Sequence, residues 1–213
     1  MLLDSTRPVG ETSNTPSGLP KTSTAGVPFS CPDQASADEA ASWFVLRATY
    51  SRELKVQSML NEKGLRTFVP MIWRKTEKDG RTVRRLVPAV SNLCFVRWTK
   101  TGIDSFIRSF GESSPVTYYW DRTTSRPLTV PDKAMEDFIA IASTMDEDLI
   151  YITQISSKLR EGQVVKVKDG PFKGVQGRIV RIRKSRRILV ELPGMLAVAS
   201  TYVRPEFLEI IKP

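Results

Sequence analysis

The chain has 213 residues, of which 40% are hydrophobic, so it can build one large or two small domains with real cores. Its net charge of +9 and its pI near 9.7 indicate an acidic partner such as a nucleic acid. There is no histidine, and the only cysteines are Cys31 and Cys94. This excludes Ser-His-Asp and Cys-His nucleophilic groups and leaves no zinc-type ligand cluster.

The excess positive charge is concentrated in the last quarter of the chain. From Ser157 onward there are 13 Lys/Arg against 5 Asp/Glu, a balance of +8, while the other 156 residues carry only +1. The two cysteines do not make a disulfide framework, and no stretch is apolar for long enough to span a bilayer. The first residues lack the basic and apolar regions of a signal peptide. We therefore expect a cytoplasmic protein with no membrane contact.

Residues 1–40 are rich in Ser, Thr, Pro and Gly and have few large apolar side chains. Such a segment cannot bury enough surface to offset its ordering entropy, which predicts a disordered tail. The segment from Trp43 to Leu46 predicts a buried strand. A helical pattern runs from Ser51 to Lys63, and Gly64 follows as a C-terminal stop.

The segment from 65 to 144 alternates strand and helix patterns. It comprises an extended segment at 65–72, a hairpin at 73–87 that turns at Asp79-Gly80, a strand at 93–98, a short amphipathic helix around 103–110, a strand at 116–120, and a helix that opens at Pro131 and ends near Thr144. This order predicts an α+β domain over 41–144, with a mostly antiparallel sheet and helices packed on it.

The remainder is predicted to be a linker and a second domain. Residues 145–157, which include the acidic run Asp146-Glu147-Asp148, are taken as the linker. Residues 158–213 alternate short strands and turns, with strands expected at 163–168, 175–182, 187–192, 196–201 and 207–211. A domain of this size is too small for a sandwich and fits a five-stranded SH3-like β-barrel.

One run in this second domain is unusually specific. From Glu161 to Ile182, two strand patterns flank the sequence DGPFKG, and Gly177 precedes the second strand. Glycine serves where the backbone needs a positive φ or a close approach, and Asp-Gly-Pro is turn chemistry. The run resembles the KOW motif, which occurs in ribosomal proteins and in transcription elongation factors of the NusG family.

An α+β domain, a linker and a KOW domain, in that order, resemble the NusG family over residues 41–213. The segments SWFVLRA (42–48), FVPMIWRKTEKDGRTVRRLVP (68–88) and SNLCFVRW (91–98) are similar to its first strand, its central hairpin and the strand that follows. The long basic hairpin is more similar to the specialised paralogues, which act as antiterminators on long operons, often those for surface polysaccharides. The resemblance implies a non-enzymatic elongation and antitermination factor without catalytic residues, metal or cofactor.

The resemblance also implies RNA polymerase as the main partner. In this family the N-terminal domain binds the polymerase clamp helices through an apolar depression. By position in the matching strands, the candidates for this contact are Trp43, Leu93 and Phe95. The alternative for Trp43 and Phe95 is ordinary core packing.

Two basic groups are candidates for nucleic-acid binding, through DNA or nascent RNA of the elongation complex. The first lies in the hairpin and comprises Arg74, Lys75, Lys78, Arg81, Arg84 and Arg85, with the pairs 74–75 and 84–85 expected to converge at its base. The second lies in the KOW domain and comprises Arg181, Arg183, Lys184, Arg186 and Arg187. The alternative is that both are solvated basic hairpins, in which charge keeps edges from aggregating.

The partner of the KOW domain is less defined. In NusG this domain recruits Rho or a small-subunit ribosomal protein through a loop after its fourth strand. Here that place reads Leu-Pro-Gly-Met-Leu at 192–196, without the aromatic-Gly-Arg of the housekeeping factor. We therefore do not expect Rho binding, and the ribosome stays a candidate. The rival interpretation of the whole chain is a KOW-containing ribosomal or RNA-processing protein, which the charge of the last quarter favours and the nearly neutral first domain does not.

Overall fold

The computed structural model describes residues 40–78, 80–154 and 162–211. The predicted tail, apart from Ala40, lies outside the described residues, as do Cys31, Asp79 of the hairpin turn and the last part of the predicted linker. Across the described ranges, no helix combines the length and the apolar character needed to cross a bilayer.

The described residues form three α-helices and fifteen strands. The helices are α1 (Glu53–Glu62), α2 (Lys100–Arg108) and α3 (Asp132–Ala142). The strands of the first domain are β1 (Ser42–Ala48), β2 (Arg66–Phe68), β3 (Met71–Lys78), β4 (Arg81–Pro88), β5 (Leu93–Trp98), β6 (Val116–Tyr118), β7 (Trp120–Asp121), β8 (Arg126–Pro127) and β9 (Thr129–Val130). Those that follow are β10 (Ile150–Ile152), β11 (Val164–Val167), β12 (Gln176–Ile182), β13 (Ser185–Leu192), β14 (Leu196–Tyr202) and β15 (Leu208–Ile210).

The first domain is built on an antiparallel sheet in the order β2-β5-β1-β6, with β9 also paired to β1. The predicted α+β class and the mostly antiparallel pairing are confirmed. The predicted strand at 116–120 stops at Tyr118, and the chain continues into the separate β7-β8 ribbon. The last helix begins at Asp132, one residue later than expected, with Pro131 as its N-cap.

Strand alternation gives this sheet two apolar faces. Phe44, Leu46 and Cys94 lie on one face, in a buried cluster with Leu60 of α1 and Ile103 of α2. The residues between them in sequence point to the opposite face, where they join a second cluster with α3. A central strand covered on both faces accounts for the continuous apolar run of β1.

The buried thiol of Cys94 gives a direct test of this packing. Burial raises its pKa to about 12, so the reactive thiolate is scarce at neutral pH. In a Cys31→Ser background we expect no measurable reaction with Ellman's reagent at pH 8 in the folded protein, and one thiol per chain after addition of denaturant. Rapid reaction without denaturant would contradict the packing of α1 and α2 on the sheet.

The C-terminal strands form one antiparallel sheet in the order β10-β14-β13-β12-β11-β15. All five predicted strands are present within a few residues of their expected bounds. The described pairing runs along an open path from β10 to β15, so closure into a barrel stays a prediction.

Two glycines of the KOW-like run are required for different reasons. Gly174 has φ of +91°, which side-chain-bearing residues rarely adopt. At Gly177 an added Cβ would lie 2.6 Å from Ile188 Cγ2 and from the Leu189 carbonyl oxygen, so β12 can approach β13 only without a side chain there.

The segment predicted to be a linker also contributes to this sheet. Within 145–157, Leu149 is buried and β10 pairs with β14 through Ile150↔Ala199 and Ile152↔Ala197. Residues Ile150–Ile152 form a strand because β14 offers an open edge for them to pair with. The domain boundaries around this segment stay a prediction.

Helix α3 lies between the two sheets. It contacts β1 on one side and β13 and β14 on the other. One buried cluster therefore runs from the first sheet through α3 into the C-terminal sheet. The described residues between 40 and 211 accordingly form a single compact unit.

Candidate functional site

The three candidates for the apolar contact are buried beneath α3. Trp43 is 1% exposed, and Leu93 and Phe95 are fully covered. The Phe95 ring lies 5.8 Å from the ring of Phe138, which projects from α3. A partner can therefore reach these side chains only if α3 is displaced, and with α3 in place they support that helix from below.

Phe138 links the two sheets. Its ring contacts Phe68 at 6.1 Å and Phe95 at 5.8 Å on the first sheet, and Tyr151 of β10 at 6.4 Å on the other side. Burial raises the pKa of Tyr151 to about 12, so this phenol is neutral at physiological pH. Through these aromatic contacts, α3 packs against both domains.

Polar contacts fix both sides of α3. At its first turn, Arg97 of β5 donates two hydrogen bonds to the carboxylate of Asp132, from Nε at 3.1 Å and from Nη2 at 3.2 Å. These bonds hold the pKa of Asp132 below its usual range. On the other side, Lys133 Nζ donates to the carbonyl oxygen of Gly174 at 3.2 Å. The KOW-like loop is thereby tied to the helix that covers the first sheet.

The hairpin β3-β4 is a two-stranded ribbon separate from both sheets. Its register places like charges opposite each other: Lys75↔Arg84, Arg74↔Arg85 and Lys78↔Arg81. Directly opposed like charges destabilise a ribbon, so this pattern calls for an acidic counterpart. The two pairs expected to converge at the base lie in the middle of the ribbon instead, each divided between its two faces.

Alternation separates the basic side chains onto two faces. The front face carries Trp73, Lys75, Glu77, Thr82, Arg84 and Leu86; the back face carries Ile72, Arg74, Thr76, Val83, Arg85 and Val87. Arg81 and Lys78 are paired near the tip, and the side chain of Lys78 lies outside the described atoms. Arg74, Arg81 and Arg85 are exposed, and within the described ranges no carboxylate lies at ion-pairing distance from them.

The front face, in contrast, already holds an acidic counterpart. Glu147 bridges its two cations, with Oε1 2.5 Å from Arg84 Nη2 and Oε2 3.5 Å from Lys75 Nζ. The Arg84 guanidinium also lies over the Trp73 ring, 5.4 Å from its centre. Sequence reasoning assigned Glu147 to a linker, and its only signal was the acidic run that contains it.

The second basic group forms an exposed turn. Arg181 lies opposite Arg186, and the two turn residues Arg183 and Lys184 have φ of 51° and 65°. Both positive values describe a tight turn that matches strand twist. Four exposed cations, Arg181, Arg183, Lys184 and Arg186, thus lie at one end of the β12-β13 hairpin.

Arg187 does not belong to that exposed group. It is 8% exposed, and its Nη1 donates to the carbonyl oxygens of Asp148 at 2.6 Å and Ser200 at 2.9 Å. The structure therefore gives it an internal role, tying β13 to the segment before β10. Strand alternation explains the difference, because Arg186 and Arg187 point to opposite faces.

Over the described residues, no group of three or more Cys, Asp or Glu side chains is placed to hold a metal ion. The site is thus a set of surfaces: a covered apolar helix, a basic ribbon with two unlike faces, and a basic turn.

The comparisons with known proteins bear on both domains. Residues 41–139 match the family model described as transcription termination factor NusG, and residues 161–191 match the KOW motif model. No curated protein matches the chain. A solved structure titled "Domain interaction in Thermotoga maritima NusG" is 19% identical, covers 81% of this chain and 98% of that chain, and has a TM-score of 0.42. The two matches follow each other along the chain: residues 41–139 are similar to NusG, and residues 161–191 are similar to the KOW motif.

Proposed function

We propose that this protein is a non-enzymatic transcription elongation factor that binds RNA polymerase and promotes read-through of long operons, as a specialised NusG paralogue. The observation that carries the proposal is the order of parts: a domain that matches NusG, with an exposed basic ribbon, followed by a domain that matches KOW. The ribbon is suited to phosphate contact without sequence reading.

The proposed polymerase contact is apolar and lies at α3. Trp43, Leu93 and Phe95 form the floor of this region, and α3 with Phe138 covers them. The outer side of α3 is in turn packed against β13 and β14. We therefore expect the clamp helices to compete with the C-terminal sheet for α3, so that binding separates the two domains.

The mechanism is one of binding rather than chemistry. The N-terminal domain bridges the polymerase cleft and favours its closed, processive form, while the basic ribbon reaches the DNA. The C-terminal domain, once released, makes a second contact with nascent RNA or the ribosome through its basic turn. Tethering the two contacts raises their local concentration without any new surface.

The decisive test is retention of RNA polymerase by the N-terminal domain alone. Immobilised residues 41–145 include the first sheet and all three helices, and they lack the sheet that covers α3. We expect this fragment to retain purified polymerase more strongly than the full chain does, because its α3 is uncovered. Far-UV circular dichroism of the fragment provides the folding control.

The opposite result would favour the rival function. If the folded fragment fails to retain polymerase, while residues 158–213 retain ribosomal RNA after a high-salt wash, the protein is a KOW-containing RNA-binding protein instead. The exposed cations of the β12-β13 turn are the observation that keeps this second candidate open.

A further inference from the structure

We propose that the front face of the β3-β4 ribbon is a binding site for single-stranded nucleic acid, and that Glu147 occupies this site in the free protein. The inference rests on the proposed function only in placing the ribbon near nucleic acid. It goes further by assigning an aromatic residue, a face of the ribbon and a competing internal ligand.

The front face of the ribbon carries an exposed aromatic ring. Trp73 is 39% exposed, and Leu86, which lies opposite it on the other strand, is 37% exposed. An indole held on a rigid ribbon can stack against a base, and stacking of this kind tolerates any sequence. A base can reach the ring only when it is unstacked from its own helix, so single strands fit this face and duplexes do not.

The two cations of the front face lie next to this ring. Lys75 and Arg84 are a cross-strand pair beside Trp73, and the Arg84 guanidinium lies over the ring. A base would therefore stack on Trp73 in place of the Arg84 guanidinium, or on the guanidinium itself, and its phosphate would lie within reach of Lys75 and Arg84. Aromatic and guanidinium groups in contact are the combination used to hold single strands without sequence preference.

Glu147 pairs with both of these cations. Its two carboxylate oxygens take one cation each, Oε1 with Arg84 and Oε2 with Lys75. Two non-bridging phosphate oxygens would make the same pair of contacts. Glu147 thus acts as an internal substitute for a phosphate, and it neutralises a like-charged pair that would otherwise destabilise the ribbon.

A phosphate can displace the Glu147 carboxylate from these two cations. The side chains of Glu147, Arg84 and Lys75 are 39%, 56% and 63% exposed, so water screens their attraction and the ion pairs are weak. The backbone around Glu147 is anchored, because Leu149 is buried and the Asp148 carbonyl accepts from Arg187. Glu147 can therefore release the cations by side-chain rotation, without unfolding of its segment.

The back face differs in the feature that matters. Its cations Arg74 and Arg85 lie between Ile72↔Val87 and Thr76↔Val83, with no aromatic ring among the cross-strand pairs. That face can contact phosphates but offers no platform for a base. The expected dependence on Trp73 and on Glu147 is accordingly specific to the front face.

The test is direct binding of labelled oligonucleotides to the full chain, followed by fluorescence anisotropy. The probes are a 20-nucleotide oligo(dT), a 20-nucleotide oligo(U) and a duplex of the same length. We expect Glu147→Gln to tighten single-strand binding by about three- to tenfold, since the competing ion pairs are lost. The matched control is Glu112→Gln, which makes the same change in net charge at an exposed turn after α2 and should have little effect.

Trp73 supplies the second arm. Trp73→Ala should weaken single-strand binding by about fivefold or more, and Trp73→Phe should restore most of it, because a phenyl ring still stacks. Urea unfolding of each variant checks that the fold is intact. Binding of oligo(dT) or of oligo(U) with this dependence on Trp73 would support the proposal.

Three outcomes would overturn the proposal: equal effects of the Glu147 and Glu112 variants, no dependence on Trp73, or duplex binding with the same dependence on Trp73. None of these results bears on polymerase retention by residues 41–145. Failure of this site and failure of the proposed function are therefore distinguishable.

Discussion

Replacement of Phe138 by alanine is expected to lower the free energy of unfolding by about 3–5 kcal/mol. The side chain is fully buried and its ring contacts Phe68, Phe95 and Tyr151. Truncation removes the transfer free energy of the ring and leaves a cavity bordered by two sheets, which cannot both collapse into it. Equilibrium urea unfolding followed by far-UV circular dichroism measures the change.

The control for this prediction is Trp120→Ala. Trp120 is also a large aromatic residue, but it is 58% exposed, so its removal should cost less than about 1 kcal/mol. If Phe138→Ala lowers the free energy of unfolding no more than the control does, α3 does not pack between the two sheets as described. Because the same helix is the proposed polymerase contact, a stable and fully active Phe138→Ala variant would also count against that proposal.

The second large effect is expected at Arg187. Arg187→Met keeps much of the side-chain volume but removes both hydrogen bonds from Nη1, so the carbonyl oxygens of Asp148 and Ser200 lose a charged donor. We expect a loss of about 2–4 kcal/mol in the free energy of unfolding, since bonds to a charged group are strong and the orphaned carbonyls are partly buried. Urea unfolding at neutral pH measures it.

Its neighbour Arg186 is the matched control. Arg186 is exposed and lies opposite Arg181 near the β12-β13 turn. Arg186→Met should leave the free energy of unfolding within about 0.5 kcal/mol of the original and should weaken RNA binding. Arg187→Met should lower the free energy of unfolding but leave RNA binding unchanged when it is assayed under conditions where the variant is folded. If both variants lose RNA affinity equally and neither loses stability, the internal role of Arg187 is contradicted.

Both predictions concern a segment that joins distant parts of the chain. Between residues 146 and 152, Glu147 reaches the ribbon, the Asp148 carbonyl accepts from Arg187, and Tyr151 contacts Phe138. An acidic connection between domains therefore acts as a third surface that both domains contact. Displacement of Glu147 by a phosphate would weaken one of these attachments, which would favour the domain separation that we propose for polymerase binding.

The amino-acid sequence by itself determined the local elements. Strand alternation, helical spacing and turn chemistry depend on neighbours within a few residues, so β1, α1, the ribbon and the C-terminal strands were predictable. The requirement for glycine at positions 174 and 177 also arises from the local backbone or from the neighbouring strand of the same hairpin. The order of these elements was enough to predict the α+β class and the family resemblance.

Only the tertiary structure decided which of the candidate residues are accessible. Whether Trp43 and Phe95 form a surface or a floor depends on where α3 packs, and α3 is more than 30 residues away in the chain. The contact of Glu147 with Lys75 and Arg84 joins residues about 60 to 70 positions apart. No periodic pattern in the sequence relates residues at that distance. The burial of Arg187 and the pairing of β10 likewise depend on carbonyl groups and a strand edge that are in place only after folding. The physical reason is that hydrophobic burial and backbone hydrogen bonding select partners by proximity in space rather than along the chain.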